Sequence, residues 1–188
     1  MTWSPLPQRF FERPTLQVAR ALLGQLLVLQ DLRGGSARVG RIVETEAYLG
    51  PHDLASHSSK GRTARTEVMF GPPGHAYVYL VYGMHHCFNV VTGRGAAVLI
   101  RALAPVENLA RRADGPGRLT QAMGITLRHN GLKLAEAPLW LAKGNAVQRI
   151  ARGPRIGVDY AREWAAKPYR FWEAGNPHVS VMPRAARV

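Results

Sequence analysis

Six consecutive residues, Val43, Glu44, Thr45, Glu46, Ala47 and Tyr48, set carboxylates and an aromatic ring on what reads as one strand. Side chains two apart on a strand share a face, so Glu44, Glu46 and Tyr48 are expected to point the same way. An acid beside a stacking ring can hold a flat substrate and activate a water next to it. His57 follows shortly after; it either caps a turn or, as a neutral donor, reads the edge of a base. Taken alone, Glu46 is an ordinary solvated side chain and Tyr48 a half-buried sheet aromatic; only their combination suggests chemistry.

A second group is Tyr77, Tyr79, Tyr82 and Met84, and the stretch from Tyr77 to Tyr82 alternates aromatic and aliphatic residues as a strand does. Tyr77 is assigned to the core. Tyr82 and Met84 flank Gly83 at a predicted hairpin tip, where an aromatic and a thioether are hard to bury. Apolar wedges of this kind enter between base steps when a protein kinks a duplex, although scattered exposed apolar residues are also normal. His85, His86 and Cys87 do not make a metal site, because neighbours on a strand face opposite ways and no second cluster has ligand spacing. Gly71 to Gly74 lacks the Gly and Lys spacing of a phosphate loop, and Ser58 and Ser59 lack a triad signature.

The elements that must carry these residues follow from periodicity. Leu16, Val18, Ala19, Leu22 and Leu23 recur at helical spacing after Pro14 and Thr15 and stop at Gly24, which predicts a short capped helix. Gln25 to Leu32 and Ala37 to Tyr48 read as hairpin partners across Gly34 and Gly35, placing the acids at the far end of a long strand. Gly50 to Pro73, with the basic residues Lys60, Arg62 and Arg65, reads as a long surface loop. Tyr77 to Tyr82 and Cys87 to Thr92 form a second hairpin, and Ala96 to Leu103, which contains Arg101, is a further strand. Val106 to Arg112 and Pro116 to Gly124 look helical. The last third mixes short strands with Pro and Gly breaks and ends in Val179, Ser180 and Val181. The expected class is α+β: one compact domain over residues 1–188 with a mostly antiparallel sheet, flanking helices and a protruding β-hairpin.

With 25 Lys and Arg against 12 Asp and Glu, the chain carries a formal charge of +13 spread along its length. That balance favours a polyanionic partner, nucleic acid before membrane. The lone Cys87 excludes an internal disulfide and reads as a buried thiol, and Met1 to Pro7 does not resemble a secretory signal. A monomer in the cytoplasm, nucleoid-associated in a bacterium, is expected.

Arg41 to Asp53 (RIVETEAYLGPHD), His57, and Met69 to Asn89 (MFGPPGHAYVYLVYGMHHCFN) closely resemble the alkyladenine (3-methyladenine) DNA glycosylase family. The similarity extends through Val98 to Leu103, Gly115 to Gly124 and Arg155 to Trp172. The resemblance implies an enzyme without metal or organic cofactor that acts on double-stranded DNA. Such an enzyme everts a damaged purine and hydrolyses its bond to deoxyribose. By position, Glu46 matches the general base, Arg101 helps hold the attacking water, and the backbone around Ile156 is the remaining water ligand. Tyr48, His57 and Tyr79 match the pocket for the everted base. Tyr82 matches the wedge, with Met84 beside it, and Asn89 matches the residue that clashes with a guanine amino group. The rival readings are a non-catalytic nucleic-acid binder, for which Glu46 is a bystander, and a hydrolase or transferase of small substrates on the same fold.

Overall fold

The central element is the long strand that carries the acids. In the computed structural model, which describes residues 3–31 and 34–180, β1 (Leu26–Leu29) and β2 (Arg38–Tyr48) form the predicted hairpin. The expected strand residues Leu32 and Val181 lie outside the described residues. β3 (Ala76–Val81) and β4 (His85–Gly93) form the second hairpin, followed by β5 (Ala96–Glu107). Short strands β6 (Leu139–Ala142), β7 (Ile150–Gly153) and β8 (Arg170–Glu173) complete one sheet in the order β3-β4-β5-β2-β1-β6, with β8 joining β2 to β7. Every pairing is antiparallel, as expected for the α+β reading.

One edge of β2 is taken by β5; the other is divided between β1 at Arg38–Arg41 and β8 at Glu44–Glu46. Both edges are therefore covered where the carboxylates sit. The pairing with β5 is irregular there: Ile42 faces Leu103, Glu44 faces Ala102 and Thr45 faces Ile100. Val43 and Arg101 are thus left without partners in register, as two opposed bulges. A bulge shifts the alternation by one residue and re-aims side chains. Ile42 and Ala47, an odd number of positions apart, accordingly share the main hydrophobic core, while Glu44 and Glu46 turn to the opposite face.

The core face is covered by α1 (Thr15–Leu22), which buries Val18, Ala19 and Leu22. An isolated helix this short is unstable in water, so burial holds it. The Thr45 hydroxyl donates to Ala19 O at 2.9 Å and fixes α1 on the back of β2. The predicted side-chain cap is absent, since Thr15 is the first helical residue and its hydroxyl pairs with that of Thr92. α2 (Pro116–Met123) forms where expected and ends at the left-handed Gly124.

Two expectations are corrected. Val106 to Arg112 is not helical: β5 continues to Glu107, because main-chain pairing of Val39 with Glu107 overrides local propensity. The stretch from Gly50 to Pro73 is not only a surface loop. It contains two 3-10 turns, His57–Lys60 and Glu67–Phe70, and buries Asp53, Ser56, Ser58 and Met69.

Candidate active site

Glu46 is completely buried, and three donors hold its carboxylate. Oε1 accepts the Ile156 backbone N–H at 2.8 Å and lies 3.2 Å from Arg101 Nη1; Oε2 accepts the Tyr48 hydroxyl at 2.9 Å. A carboxylate has about four acceptor sites, so among the described residues one site on Oε2 is left for an incoming O–H. Burial, followed by the Glu46 charge, pushes the Tyr48 phenol well above its ordinary pKa, which keeps it protonated as the donor. Arg101, expected beside the attacking water, forms an ion pair with the acid itself, and Glu46 keeps its hydrogen bond from the Tyr48 hydroxyl.

Glu44 plays a different part from Glu46. Its Oε1 lies 2.8 Å from both Arg101 Nε and Arg170 Nε and accepts the Ser180 hydroxyl at 2.9 Å; Oε2 accepts the Ser180 backbone N–H at 2.7 Å. A buried carboxylate with this many donors is an anchor, and here it fixes one side of the Arg101 guanidinium. The other side of Arg101 reaches Glu46. Burial alone would lower the Arg101 pKa, but Glu46 and Glu44 outweigh it and raise the value.

Above this floor opens a cavity of ≈ 430 Å³ lined by Tyr48, His57, Tyr79, Asn89, Arg101 and Ile156, among others. That size suits one planar heterocycle. Glu46 does not line the cavity; it lies beneath the floor made by Tyr48, Arg101 and Ile156, which bind it. A hollow of ≈ 500 Å³ near Arg38 and Arg128 is larger, but it contains none of these groups. The His57 and Tyr79 rings meet edge to face with centroids 4.5 Å apart. His57 Nδ1 is 3.0 Å from the Tyr77 hydroxyl, which fixes the imidazole, and Asn89 Nδ2 donates to Tyr77 O at 3.0 Å. Tyr77 is core, as predicted, and Cys87 is a buried thiol whose pKa burial raises.

Burial, with the Arg65 charge adding to it, brings the His57 pKa from 6.5 down to about 4. His57 is consequently neutral at pH 7. Between those two values the unfolded chain binds the extra proton and the folded one does not, so stability falls as pH drops through the window. Thermal melts from pH 7 to pH 4 are expected to show a steeper loss for the wild type than for His57→Gln. Parallel curves would remove His57 from the acid response.

The β3–β4 hairpin projects beside the cavity. Its loop is Tyr82, Gly83 and Met84, closed by Met84 N–H to Val81 O at 3.1 Å. Tyr82 is 89% exposed and Met84 70%. Tyr82 also holds φ at +51°, a left-handed conformation that costs an aromatic residue free energy, whereas Gly83 at +68° adopts it readily. An exposed aromatic kept in a strained tip at the mouth of a cavity points to use outside the fold.

Sequence reasoning missed Asp53 and Arg155. Arg155 donates to Asp53 Oδ2 at 2.5 Å and Oδ1 at 2.9 Å, with both side chains fully buried. It also donates to Ala47 O, at the end of β2, and its guanidinium lies 4.8 Å from the Tyr48 ring centroid. This pair ties the loop after β2 to the segment bearing Ile156. Both residues stand inside the motifs quoted above, but nothing in their spacing, a hundred positions apart, could have paired them.

The model of the methylpurine-DNA glycosylase family (MPG) matches residues 9–177. Among curated proteins, the chain is 59% identical to a protein of Myxococcus xanthus (strain DK1622) named as a 3-methyladenine DNA glycosylase, across 100% of this chain and 98% of that protein. Proteins with the same name from Legionella pneumophila (strain Corby) and Methanocella arvoryzae are 53% and 52% identical, each across 93% of this chain.

Proposed function

Because the chain belongs to the methylpurine-DNA glycosylase family, we propose that this base-excision repair enzyme everts alkylated or deaminated purines from duplex DNA and removes them with a water activated by Glu46. The observation that carries the proposal is the fixed carboxylate. Among the described residues its three donors leave one acceptor position, and it lies directly under an aromatic cavity of base size.

In this reading the everted base stacks in the cavity against Tyr48 and Tyr79, and its edge meets His57 and Asn89. A water enters beside Glu46 Oε2 as the nucleotide swings in, and gives its proton to the carboxylate. Its oxygen bonds to C1′ of the deoxyribose as the bond from C1′ to the purine nitrogen breaks. The bonding pair leaves with the purine; a cationic lesion is neutralised by it, and a neutral one takes up a proton from solvent, balanced by the proton that Glu46 later returns to solvent. An abasic site remains. Arg101 and the Ile156 N–H hold the base-form carboxylate in place. No covalent enzyme intermediate is involved, so strand cleavage requires later alkali.

Eversion costs a few kcal/mol, and stacking returns ~1–3 kcal/mol per base. Tyr82 fills the gap left in the duplex, with Met84 next to it. Tyr82→Ala is expected to weaken binding to a lesion duplex by roughly 5- to 150-fold, the equivalent of one lost stack. A titration monitored by fluorescence anisotropy checks this; unchanged affinity would contradict the wedge. The proposal as a whole is tested by incubating the protein with duplex bearing one lesion, then separating free bases by chromatography and treating the strand with alkali. Tight binding without base release would favour a non-catalytic binder. Release of base from free nucleosides, without duplex, would favour a small-substrate hydrolase.

A further inference from the structure

The loop between β2 and β3 carries a cation that the reading above does not use. Arg65 lines the cavity, its guanidinium lies 5.3 Å from the Tyr79 ring centroid, and Nη2 donates to Leu80 O at 3.3 Å. Arg62, three positions earlier, points elsewhere: it pairs with Glu67 at 3.3 Å and lies over Phe70.

Among the described residues, Arg65 is the cation at this cavity that no carboxylate balances. On the floor, the carboxylates Glu44 and Glu46 face the guanidiniums Arg101 and Arg170. Behind Tyr48, Arg155 is matched by Asp53. His57, Tyr48 and Tyr79 are neutral at pH 7. Among the described residues no carboxylate pairs with Arg65, so the charge left over at this cavity is one positive unit. Electron-rich rings alone would favour a cationic base. Here each stacking wall already has a guanidinium against it, Arg155 at Tyr48 and Arg65 at Tyr79.

Resting on the glycosylase reading, we propose that Arg65 determines which lesions this site prefers, its unmatched charge over the Tyr79 wall favouring uncharged purine lesions over cationic N-alkylated ones. A cationic base stacked on Tyr79 meets a like charge a few ångströms away, at a site where water screens only part of the repulsion. An uncharged base meets no such repulsion, and one with a carbonyl oxygen can accept from the guanidinium. Arg65 is a specificity residue in this account and takes no part in bond breaking.

The test compares single-turnover base release, with enzyme in saturating excess, from duplexes of one sequence that carry either hypoxanthine or 7-methylguanine. For Arg65→Gln, the ratio of hypoxanthine to 7-methylguanine rates is expected to fall about tenfold from the wild-type ratio, while Arg65→Lys, which keeps the charge, holds it. An unchanged ratio in Arg65→Gln overturns the inference. So does equal slowing of both lesions, which would make Arg65 a backbone phosphate contact. Arg65→Lys behaving like Arg65→Gln overturns it as well, since charge would then not be the cause. Failure of the wild type to release either base would overturn the glycosylase reading, and this inference with it.

Discussion

Glu46→Gln is expected to slow base release from a lesion duplex by about 100- to 10,000-fold, the range spanned by a positioned general base, while affinity for that duplex is retained. The amide keeps the shape and the acceptor for the Ile156 N–H and Arg101. Its NH₂ replaces the oxygen that receives the Tyr48 hydroxyl, and that hydroxyl can rotate to accept instead. What is lost is the one position able to take a proton from water. Measured under single-turnover conditions, the defect belongs to the chemical step and not to product release. Wild-type rates in this variant would assign proton removal to another group. A parallel loss of binding would show that the buried charge holds the floor together before it acts on water.

The second large effect is on stability. Asp53→Ala is expected to cost ~3–5 kcal/mol, because it strands the Arg155 guanidinium uncompensated in the interior. For a domain of this size that is a fall in Tm of roughly 6–20 °C. Asp53 also accepts the backbone N–H groups of Leu49 and Ala55, so the turn after β2 loosens at the same time. Adding Arg155→Met removes the stranded charge and should return part of the loss, since apolar replacement of a buried pair is often tolerated. Thermal denaturation of the single and double variants decides this. A double variant no more stable than Asp53→Ala would mean that the backbone contacts, and not the ion pair, carry the energy. Because Arg155 adjoins Ile156 and lies against Tyr48, residual base release in Asp53→Ala is expected to fall even where the protein remains folded.

The site was legible in the sequence wherever it depended on neighbours along the chain. Alternation placed Glu44, Glu46 and Tyr48 on one face, and the structure brings Arg101 to the two acids and the Tyr48 hydroxyl to Glu46. The turn at Gly83 put Tyr82 and Met84 at an exposed tip. The resemblance supplied Ile156 as a backbone ligand of the water, and the structure adds that its N–H holds Glu46. The helical reading of Val106 to Arg112 failed because Val106 and Glu107 end a strand whose pairing with β2 reaches Val39, and main-chain pairing overrides weak local preferences.

The antiparallel hairpins, the basic character of the chain and the residue types at the site were all readable along the chain, because strand alternation, turn chemistry and charge are properties of short segments. That Glu44 is an anchor while Glu46, among the described residues, keeps an open acceptor emerges from the packed fold alone. So do the opposed bulges at Val43 and Arg101 that accompany that placement, and the lock that Asp53 and Arg155 put on the floor. Those outcomes depend on which distant donors reach each buried carboxylate, and that is fixed only when β2, β5, β8 and the Arg155 segment pack together.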